Sequence, residues 1–347
     1  MSQSTPTRPD YFYIELLRAV AAIAVVIIHV LGPYRDLLDV IPAFDWLSAV
    51  SLNVASRWAV PIFIMITGAL MLSDTRPFNL RYFLARRVSK VLIPFLIWSI
   101  FYAFLAGATL HGTELTYDFA PVWPLLENLP SKATWYHLGF YYYFIPLYLL
   151  IPFLTPWVQK LSDDQLRMLV LGWLTLTLLY LLRVKSAWMI DAVMYGGYLV
   201  LGYALIRLPI AQEYRTALVF AAGMALLSSV YGIWEQSNIT GQYTTGRLTS
   251  YKTLNTAVVA ATVFMLAYYY GSAVTGRWKT LVRFIGRYSL GLYLLHPVVL
   301  WPIRQLNFAP EPALLTIPLM AGIVTTLTLL LVWIMSRFKA TAWLVPA

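Results

Sequence analysis

Apolar runs long enough to cross a membrane alternate with short polar connections along this 347-residue chain. A helix needs about 20 mainly apolar residues to cross a bilayer core of about 30 Å. The pattern predicts an all-α polytopic membrane protein of about ten spans. We expect the protein to form one domain over residues 1–347, with the helical bundle at about 14–336. We place the spans at roughly 14–33, 47–72, 84–108, 136–157, 166–182, 188–207, 216–234, 254–272, 283–303 and 312–336.

Composition supports a membrane protein and narrows its chemistry. Hydrophobic residues make up 60% of the chain and charged residues 12%, about half the charged share of a soluble domain. The chain has no cysteine, which excludes disulfides and thiolate nucleophiles. Its four histidines show no spacing typical of metal ligands, so we expect no metal: His29, His111, His137 and His296.

The net charge of +10 is unevenly distributed between the two sides of the predicted bundle. With the N-terminus placed in the cytoplasm, seventeen of the 25 Lys and Arg residues, Arg8 among them, fall on that side. Cytoplasmic loops of membrane proteins carry such an excess. The charge therefore predicts that both termini are cytoplasmic, and it indicates contact with membrane lipids and not with nucleic acid.

Three ionisable residues share one face of the first predicted span. Arg18 and His29 are eleven residues apart, which is almost three helical turns and roughly 16 Å along the axis. Glu15 lies one turn before Arg18. An ionisable residue inside a membrane helix costs about 2.5–3.5 kcal/mol and marks a functional site by default. The alternative is an interfacial Glu15–Arg18 pair with His29 as an interior histidine.

A basic cluster opens the third predicted span. Arg86, Arg87 and Lys90 stand close together at its cytoplasmic end. Arginine binds phosphate through two parallel hydrogen bonds, so the cluster is a candidate phosphate site. The alternative is that these charges act as a stop-transfer signal at the end of the span and contact anionic lipid.

The opposite ends of the spans carry aromatic and polar side chains. Aromatic rings pack on sugar rings, whereas polar groups bond sugar hydroxyls, so we predict acceptor-binding residues here. An ordinary interfacial aromatic belt and structural histidines are the alternative. Pro61, four residues after Arg57, should loosen the second span at this level. The candidates for acceptor binding are Arg57, His137, Trp234, Tyr243 and His296.

Four motifs occur in order along the chain: Glu15 with Arg18 and His29; Val-Pro-Ile-Phe-Ile-Met-Ile-Thr-Gly at 60–68; Arg87-Val-Ser-Lys90 followed by Pro94; and Ser-Leu-Gly-Leu-Tyr-Leu-Leu-His at 289–296. Together they resemble the acyltransferase 3 family of integral membrane O-acyltransferases over about residues 11–336. Within that family they are similar to the enterobacterial common antigen O-acetyltransferases. Lys90 stands where the family has arginine, and Gly139 where it has tryptophan.

The resemblance implies a multi-pass protein of the bacterial cytoplasmic membrane. It would move an acetyl group from cytoplasmic acetyl-coenzyme A to a hydroxyl of a saccharide or lipid-linked glycan. A thioester is already activated, so the enzyme must deprotonate the alcohol, and histidine suits that task. We therefore expect His29 to be the base, with Arg18, Arg86, Arg87 and Lys90 holding the coenzyme phosphates. Glu15 is expected to orient Arg18.

Two other classes of function fit the same pattern. An exporter of polysaccharide or lipid-linked sugar uses intramembrane charges as a substrate path. The sequence lacks the internal repeat of many transporters, and its cations are clustered as a coenzyme A site requires. An inactive, scaffold-like membrane protein is the third class, and the intact pair of Arg18 and His29 argues against it.

Overall fold

The computed structural model describes residues 11–306 and 309–346, so the polar start of the chain, Arg8 included, lies outside the described residues. The helices of the first half are α1 Phe12–Val30, α2 Gly32–Arg35, α3 Ala43–Ser56, α4 Ala59–Met71, α5 Leu80–Phe83, α6 Ser89–Leu105, α7 Val122–Glu127 and α8 Gly139–Gln159. Those of the second half are α9 Asp163–Leu181, α10 Asp191–Arg207, α11 Gln212–Thr240, α12 Leu254–Tyr270, α13 Gly276–Arg287, α14 Ser289–Gln305 and α15 Ala313–Arg337.

Short pieces of other structure complete the described chain. A π-helical turn at Leu84–Val88 joins α5 to α6. Single 3₁₀ turns lie at Tyr136–Leu138, Gly271–Ala273 and Ala342–Leu344. The strands β1 Ala108–His111 and β2 Glu114–Tyr117 pair antiparallel as one hairpin. The predicted all-α class is thus confirmed as a nearly all-α fold with one small hairpin.

Seven helical segments of the described chain are long and apolar enough to cross a membrane. They are Phe12–Val30, Ala43–Met71, Leu80–Leu105, Tyr136–Gln159, Gln212–Thr240, Leu254–Ala273 and Ala313–Arg337. The other three predicted spans are also helical, as α9, α10 and α14, but α10 and α14 have only 17 residues each. The first turns of α9 carry three charged residues. The total of about ten spans and the cytoplasmic termini therefore stay predictions.

The second predicted span is broken near its middle. Its first part, α3, ends at Ser56, and α4 begins at Ala59. Pro61 lacks the N–H that would bond the carbonyl of Arg57 in a continuous helix. The sequence predicts this loosening, and the break places Arg57 between two helices instead of inside one.

Helix α1 is the central element of the bundle. It packs against α3, α4, α12, α13, α14 and α15. Leu17, Ala21, Val26 and other apolar residues of α1 are almost fully buried. Because six helices pack against α1, its polar residues lie next to other helices or line cavities between them.

Two glycines allow α4 and α10 to touch along their backbones. A Cβ atom added to Gly68 would lie 2.0 Å from the carbonyl oxygen of Leu199, and one added to Gly202 would lie 2.1 Å from that of Met65. Neither contact is possible without moving a backbone. The pair therefore fixes the spacing between α4 and the α9–α10 region.

We expect Gly68→Ala to lower the thermal unfolding midpoint of the protein in detergent, because overpacking at a backbone contact costs about 1–3 kcal/mol. Gly223→Ala on α11 is the matched control, since an added Cβ there meets nothing within 4 Å. Alanine favours a helix over glycine by about 1 kcal/mol, so the control should be neutral or stabilising. Equal midpoints for the two variants would contradict this account of the α4–α10 contact.

Candidate active site

A cavity of about 610 Å³ lies at the end of the bundle where α1 begins. Five cationic side chains line it, and we call it the basic cavity. They are Arg18, Arg86, Arg87, Lys90 and Arg287. The structure thus brings together the four cations that the sequence singles out and adds Arg287 from the end of α13. No Asp or Glu is among the residues that line it.

Local backbone features present the cations of the third span to this cavity. Arg86 and Arg87 lie in the π-helical turn at Leu84–Val88. Such turns are rare and occur frequently at functional sites. Pro94 lies inside α6, where its missing N–H leaves the carbonyl of Lys90 without its usual helical partner. The irregular stretch of this helix therefore coincides with the basic cluster.

The structure places Glu15 differently from the expectation. Its carboxylate accepts a hydrogen bond from Nε of Arg283 at 3.1 Å, and both side chains are partly exposed. In the described part of the chain no ion pair joins Glu15 to Arg18, although the Glu15 charge is near enough to act on Arg18. Arg18 is half-buried and lines the basic cavity.

A second cavity of about 490 Å³ adjoins the first and shares Tyr82 and Arg87 with it. Asp74 and Arg76 lie on its wall, in the loop between α4 and α5. The Arg76 guanidinium donates hydrogen bonds of 2.8 and 2.5 Å to the two Asp74 oxygens and lowers the pKa of that carboxyl. The remaining walls include Phe78, Phe83 and Gln159. We call this space the adjoining cavity.

The inner end of the basic cavity is aromatic. Phe63, Phe140, Tyr141 and Tyr293 line it there. The Tyr293 hydroxyl donates a hydrogen bond to the carbonyl of His137. This aromatic layer separates the basic cavity from a group of histidines.

Three histidines from different helical segments pack against one another beyond the aromatic layer, and we call them the histidine cluster. The ring centroids of His29 and His296 are 5.1 Å apart, and those of His137 and His296 are 5.5 Å apart. Tyr293 lies 5.5 Å from His137 and 6.2 Å from His296. The cluster is thus one residue layer away from the end of the basic cavity.

The three histidines differ in how they are buried. His137 is 3% exposed and His296 is fully buried, whereas His29 is half-buried. Nδ1 of His296 lies 3.1 Å from the carbonyl of Leu292. A carbonyl only accepts, so Nδ1 carries the proton and Nε2 has a free lone pair. His29 is therefore the most exposed of the three histidines.

Arg304 on α14 lies beside the cluster and is not among the residues predicted from the sequence. Its Nη2 donates a 2.6 Å hydrogen bond to the carbonyl of His29, and its guanidinium lies 4.5 Å from the centre of the Tyr136 ring. Arg304 follows His296 by eight residues, just over two helical turns. That spacing is the signal that could have linked Arg304 to the histidines.

The other predicted acceptor residues fall into two groups. Arg57 donates a 3.4 Å hydrogen bond to the Tyr251 hydroxyl, and its charge is close enough to act on His29. Tyr243 accepts a 2.7 Å hydrogen bond from Nδ2 of Asn53. Trp234 is 44% exposed on α11, and its ring packs beside that of Tyr231. Arg57 therefore lies near the histidines. Tyr243 instead contacts Asn53, and Trp234 lies apart from both on α11.

No group of three or more His, Cys, Asp or Glu side chains in the described ranges is arranged to hold a metal ion. In comparisons with known proteins, a family model described as an acyltransferase domain, that of the acyltransferase 3 family, matches residues 11–337. No curated protein and no solved structure matches the chain.

Proposed function

Since the chain belongs to the acyltransferase 3 family, we propose that it transfers an acetyl group from acetyl-coenzyme A to a hydroxyl of a cell-envelope saccharide or lipid-linked glycan. The family and the apolar helices support a multi-pass membrane acyltransferase, and we assign it to the bacterial cytoplasmic membrane. One observation carries the proposal. Five cations line a single cavity whose aromatic end contacts the histidine cluster through Tyr293, and His29 joins that cluster through His296.

The basic cavity suits the charged part of coenzyme A. The coenzyme carries several phosphate charges next to a long neutral arm that ends in the thioester. Arg18, Arg86, Arg87, Lys90 and Arg287 would bind the phosphates, and arginine does so through paired hydrogen bonds. The neutral arm would then follow α1 past the aromatic layer. The rise of roughly 16 Å from Arg18 to His29 is the distance that the arm must cover.

The adjoining cavity would receive the nucleoside end of the donor. The diphosphate of coenzyme A lies between its nucleoside and its arm, so the nucleoside must leave the cations on the side away from His29. The adjoining cavity meets the basic cavity at Tyr82 and Arg87. It offers the rings of Phe78 and Phe83 for stacking and the polar groups of Asp74 and Gln159 for hydrogen bonds.

The reaction needs one base and support for one negative charge. A ring nitrogen of His29 would remove the proton of the acceptor hydroxyl as its oxygen attacks the thioester carbonyl carbon. The C–S bond then breaks, the acetyl group stays on the acceptor oxygen, and the proton passes to the coenzyme thiolate. The positive charges of Arg57 and Arg304 act on this position and would stabilise the oxyanion of the intermediate. We favour direct transfer over a stable acyl-enzyme, because the chain has no cysteine that could form a thioester intermediate.

We expect Arg87→Gln to weaken coenzyme A binding by about 10–100-fold, since a hydrogen bond to a charged group contributes about 1.5–3 kcal/mol. Arg87 is chosen because it lines both cavities. Arg81→Gln is the matched control, because Arg81 is exposed in the same segment and is not among the residues that line either cavity. Isothermal titration of coenzyme A into purified protein measures both affinities.

Two results of that titration would contradict the proposal. If wild-type protein binds no coenzyme A, the donor site does not exist, and the exporter becomes the better description. If Arg87→Gln and Arg81→Gln bind coenzyme A as tightly as each other, the cations of the basic cavity do not hold the donor.

A further inference from the structure

Three arginines converge where α1 ends, and we call Arg35, Arg57 and Arg304 the arginine triad. All three are half-buried. Nη2 of Arg304 and Nη2 of Arg35 lie 2.9 and 3.5 Å from the point where a side chain on Gly32 would begin. Nη2 of Arg304 also bonds the carbonyl of His29, and the charge of Arg57 acts on both His29 and Arg35. Arg304 and Arg35 therefore flank Gly32 just after the end of α1, and Arg57 lies near enough for its charge to act on Arg35 and on the proposed base.

The triad has no carboxylate partner. Throughout residues 11–306 and 309–346, no Asp or Glu oxygen lies within 4.0 Å of a triad nitrogen. Asp45 is buried, and its Oδ1 accepts a 2.5 Å hydrogen bond from the backbone N–H of Ala313. Asp36 is exposed and acts on Arg35 only from beyond ion-pair distance. Acidic residues near this end of the bundle thus form no ion pair with the three guanidinium groups in the described ranges.

The nearest polar neighbours of the triad are neutral. Nε of Arg57 and Nε of Arg304 are buried and have no hydrogen-bond partner in the described chain. Each arginine lies beside one tyrosine, namely Tyr243 for Arg35, Tyr251 for Arg57 and Tyr136 for Arg304. Partly buried like charges repel, and a buried charge without a counter-charge is costly. An anion bound between the guanidinium groups removes both costs.

We propose that the arginine triad binds the diphosphate group of a lipid-linked glycan, so that the acceptor enters the site by its lipid end. The inference rests on the proposed function, because it assigns the acceptor class of the same reaction. Three cations match a group that carries more than one negative charge, and guanidinium forks bind phosphate oxygens in pairs. The triad lies at the end of a membrane-spanning helix, which is the depth at which a lipid carries its diphosphate.

Isothermal titration of inorganic diphosphate tests the proposal when the basic cavity is first saturated with coenzyme A. Wild-type protein should bind diphosphate, and Arg304→Gln and Arg35→Gln should each weaken that binding by about 10–100-fold. Arg183→Gln, at an exposed arginine in the α9–α10 connection, should leave it unchanged. Unaltered coenzyme A affinity in all three variants shows that they are folded.

A second experiment tests whether the bound diphosphate belongs to a lipid. Protein in phosphatidylcholine vesicles that contain a long-chain prenyl diphosphate should bind added diphosphate more weakly than protein in phosphatidylcholine alone, because the lipid occupies the triad. Absence of this competition would overturn the assignment to a lipid-linked acceptor. Failure of the coenzyme-saturated protein to bind diphosphate, or equal affinity in the triad variants and the control, would overturn the anion site. Either result leaves the donor site intact, whereas failure of coenzyme A to bind removes the proposed function itself.

Discussion

His29→Ala is expected to lower acetyl transfer by about 10²–10⁴-fold, the usual cost of losing a general base. Coenzyme A should bind the variant as it binds the wild type, because the cations of the basic cavity lie some three helical turns away along α1. The measurement is the turnover number with acetyl-coenzyme A in purified, reconstituted protein, together with the dissociation constant of coenzyme A by calorimetry.

His111→Ala is the matched control for this variant, since His111 is an exposed histidine of the β-hairpin. It should retain full activity. A His29→Ala protein that keeps more than about a tenth of wild-type turnover would remove His29 from the role of base. Loss of coenzyme A binding in the same variant would show a structural defect instead of a chemical one.

The structure explains why His29 and not its neighbours is assigned this role. His137 and His296 are closed off inside the bundle, whereas His29 is half-buried at the end of α1. Nδ1 of His296 is used by the carbonyl of Leu292. The sequence distinguishes His29 by its spacing from Arg18, but it does not give the burial of the three histidines, because burial depends on packing between helices that are distant along the chain.

Hydrophobic periodicity predicts most of the fold. All ten predicted runs are helical in the structure, since a long apolar run in a membrane satisfies its backbone groups only as a helix or a closed barrel. The sequence does not predict the hairpin at Ala108–Tyr117 or the separation of α13 from α14. The hairpin strands have four residues each and α13 has 12, so neither produces an apolar run of membrane-spanning length.

The sequence predicts some residues of the candidate site and misses others, because it shows charges within apolar runs but not the contacts that folding creates. Arg18, Arg86, Arg87 and Lys90 stand out because they are charges within or beside apolar runs, and the structure places all four on one cavity. Arg287, Arg304 and Arg35 resemble ordinary charges near the ends of helices. The structure shows Arg287 on the basic cavity and Arg304 and Arg35 together beside Gly32. The Glu15 carboxylate bonds Arg283, which is 268 residues away and which no local spacing connects to it.

We also expect the donor and the acceptor to enter the site from opposite sides of the membrane. The basic cavity lies where α1 begins, and the histidine cluster with the arginine triad lies where α1 ends. A helix of about 20 residues covers the depth of the hydrocarbon core. If the donor binds at one end and the base acts at the other, the arm of the coenzyme itself carries the acetyl group across most of the membrane. No acyl carrier and no driving gradient are required.

Sealed proteoliposomes with the protein in one known orientation test this layout most directly. The acceptor is glycan isolated from the envelope of a strain that lacks the protein, and it is confined to the side on which α1 ends. Acetyl-coenzyme A is supplied only on the side on which α1 begins. Permeabilised vesicles show that the preparation is active when both sides are open. We expect acetylation of the confined acceptor in sealed vesicles without any gradient. Acetylation restricted to acceptor on the same side as acetyl-coenzyme A would contradict it.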